Sequence, residues 1–326
     1  MKYLIFILTI FIFSCSKSPK QNYSFYYWRT SYYLNSKEKK ILQKSTSKDF
    51  YIRIFDLDKK KGNISKVGEI NFRQKLDFRQ NFVPVIFITN RTWEGATEND
   101  FNFAINTIYN SIKKLEENSD KRISEIQIDC DWTSTTKKDY FKFLEKLKAK
   151  TQKEVSCTLR LHQVKDKKES GIPPVKKVYL MCYATSSPLE NLEKNTILDI
   201  PTLKNYLSKL EDYPIKMDVA LPIYSWGIVT NHLGKRKLIN ALTEEDLQNK
   251  NFQKIGNSTY RILEDGFYFG MYLNKNFTIK VESIPENDIV EVQKFIDQKI
   301  NEPHLYIYYH LDSKFTNRYI KTFFNE

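Results

Sequence analysis

Glu125-Ile126-Gln127-Ile128-Asp129-Cys130-Asp131-Trp132-Thr133 alternates apolar and polar residues until two carboxylates arrive together. Residues two apart on a strand share a face, so Glu125, Gln127, Asp129 and Asp131 point one way and Ile126, Ile128 and Cys130 the other. A strand that is greasy on one side and ionisable on the other suits the wall of a closed barrel. Its outer side is covered by helices and its inner side leads to a site at the C-terminal end.

Working outward from this strand, three others precede it: Tyr23 to Thr30, Phe50 to Asp58, and the almost wholly apolar Val83 to Asn90. Four follow: Glu154 to Val164, Lys177 to Thr185, Met217 to Gly227 and His304 to Asp312. Helical spacing of apolar residues fills most gaps, as in Phe101, Ala104, Ile105, Ile108, Ile112 and Leu115, or in Tyr140, Phe141, Leu144 and Leu147. Ser36, Thr97 and Asp199-Ile200-Pro201 supply helix starts, and Pro285 to Ile300 is the last long helix. Eight strands alternating mostly with helices predict an α/β fold, a (β/α)8 TIM-type barrel over residues 23–326. The rhythm breaks once, at Asn231 to Ser283, which reads as an insertion in the seventh βα connection. An open doubly wound sheet is the alternative, but no Gly-rich phosphate fingerprint follows any strand.

The first residues read as an address. Lys2 gives a positive start, Tyr3 to Phe13 is apolar, and Ser14-Cys15 ends the run. A bilayer needs about 20 apolar residues, so this segment is too short to span one. Residues 1–14 are predicted to be a lipoprotein signal peptide, with Cys15 the lipidation site and residues 15–22 a tether. An ordinary secretory signal with an incidental cysteine is the other reading. The expected location is a bacterial cell envelope, at a membrane surface through a lipid anchor.

The formal charge is +13, carried in scattered runs such as Lys37 to Lys40, Lys59 to Lys61 and Lys165 to Lys168. An envelope address argues against nucleic acid, and solvated helix faces account for such runs. Cys130, Cys157 and Cys182 fall one to a strand and show no metal-ligand spacing, so they read as small buried apolar residues, with a Cys130 to Cys157 disulfide the minor alternative. Four histidines without an H-x-H or H-x-x-x-H pairing predict no metal site, and nothing in the sequence calls for a cofactor.

The C-terminal strand ends supply the candidate site. Trp28, Arg29, Arg53, Asp56, Arg160, Gln163, Tyr183, Tyr224 and Trp226 are the expected substrate-binding residues. Rings stack on sugar faces and the polar groups bond hydroxyls, so the expected partner is a glycan or another polyhydroxylated ligand. Asp129 and Asp131, roughly 6.5 Å apart between Cα atoms on one face, are the candidate acid/base or nucleophile pair, with His162 in support. Pairing of Asp129 with Arg160 or Arg53, as a satisfied polar layer inside the barrel, is the structural alternative, and Asp131, nearer the open end, is the more functional of the two.

Ile128-Asp129-Cys130-Asp131-Trp132 resembles the DxDxE strand of chitinase-like, family 18 glycoside hydrolases. In those enzymes the final Glu is the general acid, and here Thr133 stands in its place. More broadly, Tyr27-Trp28-Arg29-Thr30, Arg53-Ile54-Phe55-Asp56, Leu161-His162-Gln163-Val164, Gly171-Ile172-Pro173-Pro174 and Asp218 to Gly227 are similar to a family of uncharacterised bacterial, often lipid-anchored, barrel proteins. That resemblance implies the fold and the envelope location. Two functions follow as expectations: a glycoside-hydrolase-like protein acting through strand-end carboxylates, or a glycan-binding or assembly lipoprotein that uses the same cleft without cleaving.

Overall fold

The computed structural model describes residues 22–190 and 193–319. The expected signal peptide and Cys15 lie outside the described residues, as does the expected tether apart from Asn22. Eight parallel strands form the barrel: Tyr23–Tyr27, Asp49–Lys60, Asn81–Ile88, Glu125–Asp129, Glu154–Arg160, Lys177–Met181, Lys216–Pro222 and Tyr306–Tyr309. They are called strands one to eight below. Each pairs with its neighbours in chain order, and strand one pairs with both strand eight and strand two, which closes the sheet.

The alternation read from the sequence is what closes this barrel. Ile126 and Ile128 are fully buried beneath the helices, and Glu125 and Gln127 turn inward. Inside the floor, Glu125 accepts hydrogen bonds from Ser156 Oγ and Tyr179 OH, both at 2.6 Å, and Tyr179 OH meets Tyr51 OH at 3.1 Å. Tyr51, Glu125, Ser156 and Tyr179, from strands two, four, five and six, thus bond one another inside the barrel.

Helices form where caps and apolar stripes coincide. Thr97 caps Glu98–Glu117 by accepting from Asp100 N while Asp100 reaches back to Thr97 N, a capping box that satisfies two orphan donors. Asp199 caps Ile200–Tyr206, with Pro201 in the first turn. The second connection holds no helix. Instead Asn63–Val67 folds back antiparallel on the upper part of strand two.

Several element ends differ from the sequence reading. Strand five stops at Arg160, and Leu161–Lys165 is a short helix, so His162 and Gln163 leave the barrel wall. Strand seven stops at Pro222, and Trp226–Thr230 begins a separate five-stranded antiparallel sheet that runs to Glu282. That sheet has its own small core, built on Val229, Ile239, Phe252, Tyr260, Ile262 and Ile279. Cys130, Cys157 and Cys182 are buried and free, so the alternative of a Cys130 to Cys157 bridge is corrected.

Candidate active site

The strand ends enclose a cavity of about 660 Å³ whose lining includes Arg53, Asp56, Phe87, Asp129, Arg160 and Tyr183. Trp28, Arg29, Tyr224, Trp226, Tyr309 and His310 form more of its wall.

Register decides which groups meet. Ile128 stands opposite Cys157, so Asp129 falls level with Thr158 and Asp131 level with Arg160. Thr158 Oγ1 donates to Asp129 Oδ1 at 2.7 Å. Arg160 makes a two-pronged ion pair with Asp131, its Nη2 donating to Oδ2 at 2.9 Å. The alternative in which Asp129 pairs with Arg160 or Arg53 is therefore corrected: Arg160 pairs with Asp131 and Arg53 with Asp56. Asp129 is left deep in the cavity, 4% exposed. Burial is the main cause that raises its carboxyl pKa to about 6, with Asp131 and Asp56 adding repulsion and Arg160 and the Thr158 hydroxyl opposing it.

A bulge builds the opposite wall. The register of strand two against strand three shifts between Arg53 and Phe55. In a regular strand, positions three apart face opposite sides; the extra residue brings Arg53 and Asp56 to the same side, both lining the cavity. There Arg53 Nε donates to Asp56 Oδ1 at 2.7 Å and Nη2 bonds Oδ2. Gly68, just past the folded-back strand, lies against this pair. Its φ of +59° suits glycine, and a Cβ there would run into the Arg53 guanidinium.

Aromatic rings form a continuous rim. Trp28 and Tyr309 lie 5.5 Å apart between centroids, Tyr309 and Tyr224 5.6 Å, and Tyr224 and Trp226 5.4 Å. All four are half-buried, and the Arg53 guanidinium lies over the Trp28 ring, 5.9 Å from its centroid. Glu282 fixes the last of them: its Oε2 accepts from Trp226 Nε1 at 2.9 Å and also holds Thr196 N at 3.0 Å. Arg29 bridges Glu38 and Asp312, at 2.5 and 3.0 Å, and so braces the end of strand one. Burial holds the His310 imidazole down to about 4, so it enters the cavity wall as a neutral ring.

Of the residues expected at the site, Trp28, Arg29, Arg53, Asp56, Asp129, Arg160, Tyr183, Tyr224 and Trp226 line the cavity. Asp131 and His162 instead border a smaller recess of about 290 Å³ beyond the Arg160 side chain. His162 is exposed on its helix. Gln163 is fully buried, its amide donating to Trp132 O and accepting from Arg160 N, so its work is structural. Tyr309 and Phe87 are cavity residues that the sequence reading missed. Tyr309 carried a signal. Tyr306 and Tyr308 bond Asp297 and Gln293 of the overlying helix, so the residues between and beyond them, Ile307 and Tyr309, face inward.

Thr133 is exposed and lies in the turn before the helix Lys137–Thr151. Its hydroxyl meets that of Thr135 at 2.8 Å.

No protein-family model matches the chain, and no curated protein does. Solved structures do. The chitinase from Chromobacterium violaceum ATCC 12472 superposes with a TM-score of 0.57 at 12% identity, over 93% of this chain and 98% of that one. The spore cortex-lytic enzyme SleL of Bacillus cereus gives 0.55 at 13% identity, over 93% and 74%. The chitinase RmChi1 from Rhizomucor miehei gives 0.54 at 9% identity, over 94% and 99%. At these identities the likeness establishes a shared chitinase-type barrel fold.

Proposed function

We propose that this chain is a glycoside-hydrolase-like protein of the bacterial envelope that takes a glycan into the barrel mouth and acts on it with the carboxylates at the strand ends. The observation that carries the reading is the rim Trp28, Tyr309, Tyr224 and Trp226, four linked, half-buried rings lining the same cavity as a buried carboxyl. Flat apolar faces edged by hydrogen-bonding groups match the alternating faces and hydroxyls of a sugar ring. That barrels of the same fold are named chitinases and a cortex-lytic enzyme supports a carbohydrate ligand.

Titration calorimetry with a panel of soluble β-linked oligosaccharides tests this. Trp28→Ala and Trp226→Ala are each expected to weaken binding at least tenfold, about 1.4 kcal/mol of lost ring contact. If the wild-type chain binds no member of the panel, or the double variant binds as tightly, the glycan reading is lost.

Binding without cleavage is the second reading, and Thr133 at the family acid position is what favours it. For location, the apolar start ending in Ser14-Cys15 supports lipidation. Metabolic labelling with a fatty-acid analogue should mark the wild-type chain, whereas Cys15→Ser should be unlabelled and released from membranes. Labelling that survives Cys15→Ser would refute the anchor.

A further inference from the structure

We propose that Asp129 and Asp56 form an acid/base pair that hydrolyses a glycosidic bond with inversion at the anomeric carbon, a role that rests on the glycan reading of this cavity.

The register places the two groups. Asp56 stands opposite Phe87 on strand three, and Phe87 stands opposite Asp129 on strand four. All three line the cavity, so Asp56 and Asp129 face the same space at the same level with one strand between them. Two interstrand spacings put their Cα atoms about 9.6 Å apart, and closure of the barrel makes inward side chains converge. Carboxyl groups so placed fall in the range of about 6.5–9.5 Å that leaves room for a water beside the sugar, rather than the about 5–5.5 Å of a nucleophile and acid. Asp131 drops out of the chemistry because it opens on the smaller recess and does not line the cavity.

The environments divide the roles. Asp129 is enclosed, and its raised pKa keeps a protonated fraction near neutral pH, which suits the donor. Asp56 is more open and faces Arg53 through two hydrogen bonds, which occupy two of about four lone-pair positions and leave others for a water. In the step, the water oxygen bonds to the anomeric carbon while Asp56 takes its proton. The bond from that carbon to the leaving oxygen breaks, and its electron pair accepts the proton of Asp129. Water and one linkage become two hydroxyl ends, and solvent returns the proton from Asp56 to Asp129. Thr133 need supply nothing, since the donor comes from the floor of the cavity.

The test uses the mature chain with the oligosaccharide it binds, with proton NMR to follow the anomer released. Wild type is expected to give the inverted anomer first. Asp129→Asn and Asp56→Asn should each lower kcat by at least about 100-fold, the scale of general acid or base catalysis, while dissociation constants stay within about threefold. A 2,4-dinitrophenyl glycoside needs no proton on its leaving group, so it should restore turnover to Asp129→Asn and not to Asp56→Asn. Retention of configuration, or full turnover by either variant, overturns the pair. Wild type that binds and never cleaves also overturns it while the glycan reading stands; wild type that fails to bind removes both.

Discussion

At pH 8, Asp129→Asn should be harder to unfold than the wild-type chain, by up to about 3 kcal/mol. The carboxyl titrates near 3.8 when free in the unfolded chain and near 6 in the folded one, chiefly because burial disfavours its charge. Each pKa unit corresponds to about 1.4 kcal/mol, so a shift of roughly two units sets the size. The folded state holds a proton between those two values that the unfolded state has already lost. Stability therefore falls as pH rises through that window and is lowest above it. Asn titrates nowhere in this range, and its carbonyl oxygen can still accept from Thr158. Urea unfolding of both proteins from pH 4 to pH 8 should show curves that nearly coincide at the acid end and diverge until about pH 7. A difference that does not change with pH would mean that Asp129 is not the buried, destabilising carboxyl described above. A buried carboxyl that weakens the fold at the centre of a cavity is what the proposed acid role requires.

The barrel was legible because its signals are local. The alternation around Asp129, the capping residues Thr97 and Asp199 and the helical stripes each depend on residues a few positions apart. The likeness to chitinase-type barrels agrees with that reading of the fold. Site detail was legible to the extent that it followed the same alternation: Trp28, Asp129 and Tyr183 reach the cavity as a strand period places them. It failed where geometry depends on pairs of strands. Nothing in Arg53-Ile54-Phe55-Asp56 announces a bulge, so an arginine and an aspartate three apart were not seen to share a face. The Asp131–Arg160 pair required the stagger of strand five against strand four, a quantity absent from either segment alone. His162 reads as a strand residue because Cys157, Leu159 and Leu161 alternate with Thr158, Arg160 and His162, and only the short helix after Arg160 moves it outside.

The second large effect concerns the residue next to the carboxylates. Trp132 ends the same stretch, yet it turns outward and is fully buried between strand four and the helix Lys137–Thr151. Its ring stacks on Tyr140 at 5.1 Å and meets Phe141 edge-on at 5.8 Å. Its Nε1 donates to Ser170 O at 2.9 Å, and its own carbonyl accepts from Gln163 Nε2 at 2.9 Å. Trp132→Ala would empty the largest ring in this interface and leave the Ser170 carbonyl without its donor, so unfolding free energy should drop by about 3–5 kcal/mol. Trp132→Phe keeps most of the packing and loses the N–H, and should cost distinctly less. Urea unfolding of the two variants separates packing from hydrogen bonding. If Trp132→Ala were within about 1 kcal/mol of wild type, the ring could not be enclosed as described.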